Sequence, residues 1–159
     1  RLNTNDDIQE YSTVWGAALP TSSVFGVTAG GLATASNDVI AYCFHDVAGY
    51  SKFGTYSGNG SSDGPFVNVG FRPAWLMLML AATDGSNSYW NIINTATQYN
   101  GSTNNLPPND ETRAENSNYY IDLLSNGFKI RASNFYNSSG DTFIYFAFAE
   151  SPFKYANAR

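Results

Sequence analysis

Two residue pairs and one loop family carry the types and spacings that could do chemistry. Cys43 and His45 stand two apart, so on an extended strand both point to one face, where a thiolate–imidazole dyad is conceivable. No third residue is placed to orient the imidazole, so packing or a simple polar contact is the expectation. Asp46 and Glu150 close two similar segments. A pair of carboxylates ~5–9 Å apart would suit glycoside hydrolysis. The plainer expectation is that each acid pairs with Lys52 or Lys154, or accepts from backbone donors at a turn. Asn59, Ser61, Asp63, Asp84 and Asn87 are oxygen donors in Gly-rich turns. Calcium needs about six to eight ordered oxygens, and no Asp-x-Asp pattern supplies them, so turn chemistry is the better account. The acceptor triplets at Asn59, Asn100 and Asn137 match the glycosylation pattern, which has no consequence in a bacterial host.

The remaining polar chemistry is aromatic. Trp90, Tyr99, Tyr119, Tyr120 and Tyr136 lie in or beside Asn-rich segments, with Asn100 and Asn137 adjacent. Aromatic rings stack on the C–H faces of sugars while amides bond hydroxyls. Trp90, Tyr99, Asn100, Tyr119, Tyr136 and Asn137 are therefore the candidate glycan-contacting set. Core packing or a subunit interface is the competing use of the same rings. No catalytic residue, metal ligand or cofactor site is assigned.

Composition bounds the rest. With 159 residues, one domain is the default. Aromatic residues make up 16% and charged residues only 13%, against about a quarter in ordinary globular chains. Asn, Ser, Thr and Gly supply the polarity, a balance typical of β-rich extracellular or virion proteins. The net charge of −5 without a basic cluster argues against nucleic acid and anionic membrane as partners. One Cys excludes an intrachain disulfide, and one Cys with one His cannot complete an N/S zinc site. No apolar run approaches the ~18 residues of a membrane-spanning helix. A start at Arg1 without Met is expected of a fragment, a processed product or a piece of a larger assembly.

The elements that must position these residues read as strands. Residues 11–18 and 22–27 are short candidates, cut by Pro20 and by Gly30–Gly31. Alternation over residues 38–46 predicts a strand with Ile40, Tyr42 and Phe44 on the core face. Further strands are predicted over residues 52–57, 66–71, 74–80, 88–94, 119–124, 128–132 and 142–150. The run at 74–80 (AWLMLML) is apolar on both faces, which marks a central strand covered on both sides. Residues 95–117 are aperiodic, with one helical turn expected near Asp110. The expected fold is an all-β, antiparallel β-sandwich, jelly-roll-like, of eight to ten strands over residues 37–159, with residues 1–36 as an N-terminal extension or linker.

Residues 40–46 (IAYCFHD) echo residues 144–150 (IYFAFAE), each followed by an aromatic–Lys–aromatic phrase. Either each copy closes a structural unit, or the two strands are related by pseudo-symmetry inside one sandwich. The phrases IAYCFHDVAGYSKFG, YSGNGSSDGPFV, GFRPAW, IDLLSNGFKIR and GDTFIYFAFAESPFKYANAR occur in that order. In this the chain resembles an uncharacterised β domain of predicted tail-fibre and virion structural proteins from marine and cyanobacterial tailed phages. Residues 1–38 lie outside that resemblance, and the run at 75–80 is more apolar than the family's usual strand. The resemblance transfers no catalytic residue. It implies a virion protein, on a tail appendage ahead of the capsid surface, assembled as a homotrimer or other homo-oligomer with other virion subunits, and by analogy binding host-surface glycan. A capsid-decorating or spacer domain making only protein contacts is the alternative, and a carbohydrate-active enzyme the third.

Overall fold

The computed structural model describes residues 21–27, 41–81, 90–96, 120–133 and 136–151. The chain divides into two compact units: one of Gln9–Phe44, and one of Arg1–Ile8 with His45–Arg159. The second is an all-β sandwich whose described residues form seven strands: β1 Ser51–Ser57, β2 Phe66–Asn68, β3 Pro73–Leu80, β4 Asn91–Asn94, β5 Ile121–Leu124, β6 Gly127–Ile130 and β7 Thr142–Ala149. They make a four-stranded sheet in the order β1-β7-β3-β4 and a three-stranded sheet in the order β2-β6-β5. Every pairing is antiparallel.

Period-two alternation explains how the layers close. One face of the large sheet sends in Tyr56, Leu76, Leu78, Ile93, Phe143, Tyr145 and Ala147. The small sheet answers with Val67, Ile121, Leu123, Phe128 and Ile130 in the same apolar cluster. Phe128, Phe143, Leu76, Leu78, Ile93 and Ile130 have essentially no solvent contact. Rings interlock across this layer: Tyr56 stacks on Phe143 at 5.2 Å and meets Phe128 edge-on at 5.9 Å. The other face of the large sheet carries a second cluster of Met77, Met79 and Trp90, with Trp75, Ile92, Ile144 and Phe146 packed against it. The apolar run thus forms the inner strand expected of it, with β3 buried on both faces over Leu76–Met79, while β7 is buried on one face and half-buried on the other. A register shift between Pro73 and Trp75 lets Pro73 open β3 without breaking its ladder.

Several expectations change here. Residues 41–46 form no strand, and Tyr42 and Phe44 are exposed rather than core-facing. The local alternation is genuine, but it does not by itself produce a strand at residues 41–46. Residues 22–27 likewise hold only an isolated bridge residue at Val27. β2 ends at Asn68, whose Oδ1 accepts from the Gly70 N–H at 2.9 Å while Gly70 takes φ +82°. The β5–β6 turn is Ser125-Asn126, with Gly127 already paired to Leu124. The expected helical turn near Asp110 and the strand at 11–18 lie outside the described residues.

Candidate functional site

The exposed face of the three-stranded sheet brings aromatic and charged groups into register. Inward Phe128 and Ile130 force Lys129 and Arg131 outward. Register sets Lys129 between Phe66 of β2 and Asp122 of β5. The Arg131 N–H donates to the Tyr120 carbonyl at 2.7 Å, which extends the pairing by one step and brings Tyr120 to the same end. Phe66 is 44% exposed and Tyr120 45%, on opposite edges of this row. Strand spacing and rise separate their backbones by about 12 Å.

Between them runs a charge network. Lys129 Nζ lies 2.8 Å from Asp63 Oδ1 and donates to the Gly64 carbonyl at 3.0 Å. Arg131 Nε lies 3.1 Å from Asp122 Oδ2, and its Nη1 lies 3.9 Å from Asp63 Oδ1. The hydrogen bond from Lys129 holds the Asp63 carboxyl below its usual range. Such exposed pairs add little to stability. Their effect is geometric: fixed donors and acceptors flank two exposed rings. The arrangement can bind a polar ligand with apolar C–H faces. Asp63, held below its usual range, is not poised to donate a proton.

A groove of about 1130 Å³ lies between the turn leading into β1 and residues 68–71, lined by Asp46, Val47, Ser51, Lys52, Asn68 and Phe71 among others. Asp46 is ion-paired with Lys52 and its Oδ1 accepts from the Phe53 N–H at 2.9 Å. These bonds, that from Lys52 first, hold the Asp46 carboxyl below its usual value. Glu150 is held by Arg72 Nη1 at 2.9 and 3.1 Å, and Lys154 lies outside the described residues. Both acids of the repeat therefore stand in structural ion pairs.

The sequence-selected residues fare unevenly. Trp90 is 7% exposed, in the second apolar cluster, with its ring 5.6 Å from that of Phe146. Tyr136 is 7% exposed and packs on Phe143, while its carbonyl accepts from Tyr56 Oη at 2.8 Å. Asn137 is fully buried. Their side chains are committed to the interior, and no glycan surface is built from these three. Tyr99, Asn100 and Tyr119 lie outside the described residues. Cys43 is an exposed free thiol. His45 Nδ1 sits 2.9 Å from the Asp46 carbonyl oxygen, and the strand that would align the two side chains is not formed. Asn59, Ser61 and Asp63 form nested side-chain turns, with Ser61 N–H bonded to Asn59 Oδ1 and Asp63 N–H to Ser61 Oγ. Asp84 and Asn87 lie outside the described residues. Among the described residues no cluster of His, Cys, Asp and Glu could hold a metal ion.

Sequence reading passed over Phe66, Asp122, Lys129 and Arg131 as binding groups. The signal was present in the outward phase of the β5–β6 hairpin, but the pairing of β2 with β6 was needed to add Phe66. In comparisons with known proteins, the model of a domain of unknown function, DUF7483, matches residues 1–152. No curated protein and no solved structure matches the chain.

Proposed function

We propose, from the premise that the chain belongs to the DUF7483 family of domains of unknown function, that it is a non-catalytic β-sandwich module of a phage virion, on a tail appendage, that binds host-surface glycan. The virion placement rests on the ordered phrases that resemble phage tail-fibre domains. The binding role rests on one observation: Phe66 and Tyr120 are exposed on either side of the Asp63–Lys129–Arg131–Asp122 network. Rings at this spacing offer two stacking platforms, and the charged row between them offers hydroxyl partners. A hydrolytic role is disfavoured by the pairing of Asp46 with Lys52 and of Glu150 with Arg72. A carboxyl held ionised, as Asp46 is, does not serve as a general acid near neutral pH.

The test is a glycan array of host-surface polysaccharide fragments, read with the wild-type chain and with Phe66→Ala and Tyr120→Ala. The expected result is binding that falls roughly tenfold in each variant, with unchanged thermal stability because both rings are half in solvent. Absence of binding to any glycan, or binding untouched in the double variant, overturns the reading.

A further inference from the structure

The two cations on the outward face of β6 are held by unequal partners. Asp122 stands in β5, set beside Lys129 by register, and its Oδ2 lies 3.1 Å from Arg131 Nε. Asp63 comes instead from the loop between β1 and β2. One of its oxygens, Oδ1, lies 2.8 Å from Lys129 Nζ and 3.9 Å from Arg131 Nη1. The Asp63 side chain is 82% exposed, against 20% for that of Asp122. Asp63 therefore reaches both cations from the solvent side.

Turning that carboxylate away would leave everything else in place. The Asp63 N–H donates to Ser61 Oγ at 3.1 Å, and its carbonyl accepts from Asn59 Nδ2 at 3.1 Å. The next residue, Gly64, is buried so close to β6 that a Cβ there would lie 2.6 Å from the Ile130 carbonyl oxygen. The backbone is fixed on both sides of Asp63, and its side chain alone can change rotamer. Lys129 keeps its bond to the Gly64 carbonyl at 3.0 Å, and Arg131 keeps Asp122. The two cations then face one acid, so one positive charge of the network is left to a ligand.

Exposed pairs of this kind are weak, so a ligand bringing the same group displaces Asp63 at little cost. A carboxylate suits the position by the chemistry already there, since one sits between the ammonium and the guanidinium. Phe66 and Tyr120, half exposed on either side, offer ring faces to the C–H groups of the same ligand. A neutral sugar would meet the rings and leave Asp63 on its cations.

We infer that this face takes an acidic saccharide, a sugar bearing a carboxylate, and that Asp63 is a built-in stand-in for that carboxylate, displaced from Lys129 and Arg131 when the ligand binds. This rests on the glycan-binding reading of the same face and names the class of sugar.

The test is calorimetric titration of the chain with oligogalacturonate, oligomannuronate and sialyllactose, each beside its methyl ester, and with a sulfated galactan oligomer. Esterification removes the charge and keeps the ring. The expected result is binding of at least one of the acids, roughly tenfold weaker for its ester and weakened by high salt. Asp63→Asn should tighten the acid about fivefold and leave the ester unchanged, because it removes the competing carboxylate. Lys129→Gln should erase the preference for the acid. Asp63→Asn keeps the size of an exposed side chain, so its melting temperature should match wild type. Equal binding of acid and ester, no effect of Asp63→Asn on the acid, or a preference for the sulfated oligomer overturns the inference. If acid and ester bind equally and Phe66→Ala removes both, the glycan reading stands and the carboxylate assignment falls. If no oligomer binds either the wild-type chain or Asp63→Asn, the inference falls, and the glycan array decides the glycan reading separately.

Discussion

Asn137 shows how far a polar side chain can stand from the role its neighbourhood suggests. It has no solvent contact, and its amide joins two loops. Oδ1 accepts from Asn59 N–H at 2.8 Å, and Nδ2 faces Asn59 Oδ1, the Ser61 carbonyl and the Ala132 carbonyl at 2.9, 2.7 and 2.8 Å. Two N–H groups serve three acceptors, so one bond is shared. Asn137→Ala would leave Asn59 N–H and these acceptors short of partners, at a cost of ~2–4 kcal/mol in urea unfolding. Asn137→Asp should cost more, because a carboxylate would face three acceptor oxygens. A loss below ~0.5 kcal/mol for the alanine variant would show that water replaces the amide. In the sequence Asn137 is one of several asparagines near tyrosines, and reads as a surface ligand. Nothing local marks it, because its main partner is 78 residues away in sequence. Tyr136 and Trp90 are illegible for the same reason: a ring beside a polar loop has the same sequence context on either side of the surface.

At the scale of elements, local pattern carried further. The strands at 74–80 and 142–150 follow from apolar runs that suit inner positions, and Lys129 and Arg131 on the outward face follow from alternation alone. Strand pairing was not legible, and pairing decides what a residue is for. Gly127 reads as the positive-φ half of an Asn-Gly turn. In the structure it is a strand residue at a close approach, where a Cβ would lie 2.0 Å from the Val67 carbonyl oxygen. Gly70 has the reverse problem: φ is +82° and nothing lies within 4 Å. The two alanine substitutions should therefore separate. Gly127→Ala must push β2 from β6 and should cost about 3 kcal/mol or more. Gly70→Ala meets only the backbone penalty of about 1 kcal/mol. Thermal unfolding of both variants measures the gap, and equal losses would contradict the close-approach account of Gly127. Residues 41–46 make the complementary point. Their alternation is as clean as that of β7, yet no strand forms. A strand needs partner strands as well as a pattern.

For the whole molecule, the ion pairs among the described residues act at the surface, so their electrostatics should appear in pH dependence rather than in total stability. Asp46 is held below its ordinary value near 3.8, chiefly by the hydrogen bond from Lys52. Lys52 is held above its ordinary value near 10.5 by the same bond. A carboxyl with a depressed folded pKa stabilises the fold above its unfolded value, and that contribution is lost as the pH falls through the folded value. An amine with a raised folded pKa stabilises below its unfolded value, and loses that contribution as the pH rises through the folded one. The pair therefore contributes between about pH 4 and pH 10 and fades at both ends. Asp46→Asn keeps an acceptor for the Phe53 N–H while removing the charge. Its melting temperature should lie slightly below wild type across that plateau, and the two curves should converge in acid and in strong base. High salt should narrow the plateau gap. A gap that persists unchanged from acid to base would assign the loss to a weakened bond at Phe53, and the charge at the entrance to β1 would then contribute nothing to holding the sandwich shut.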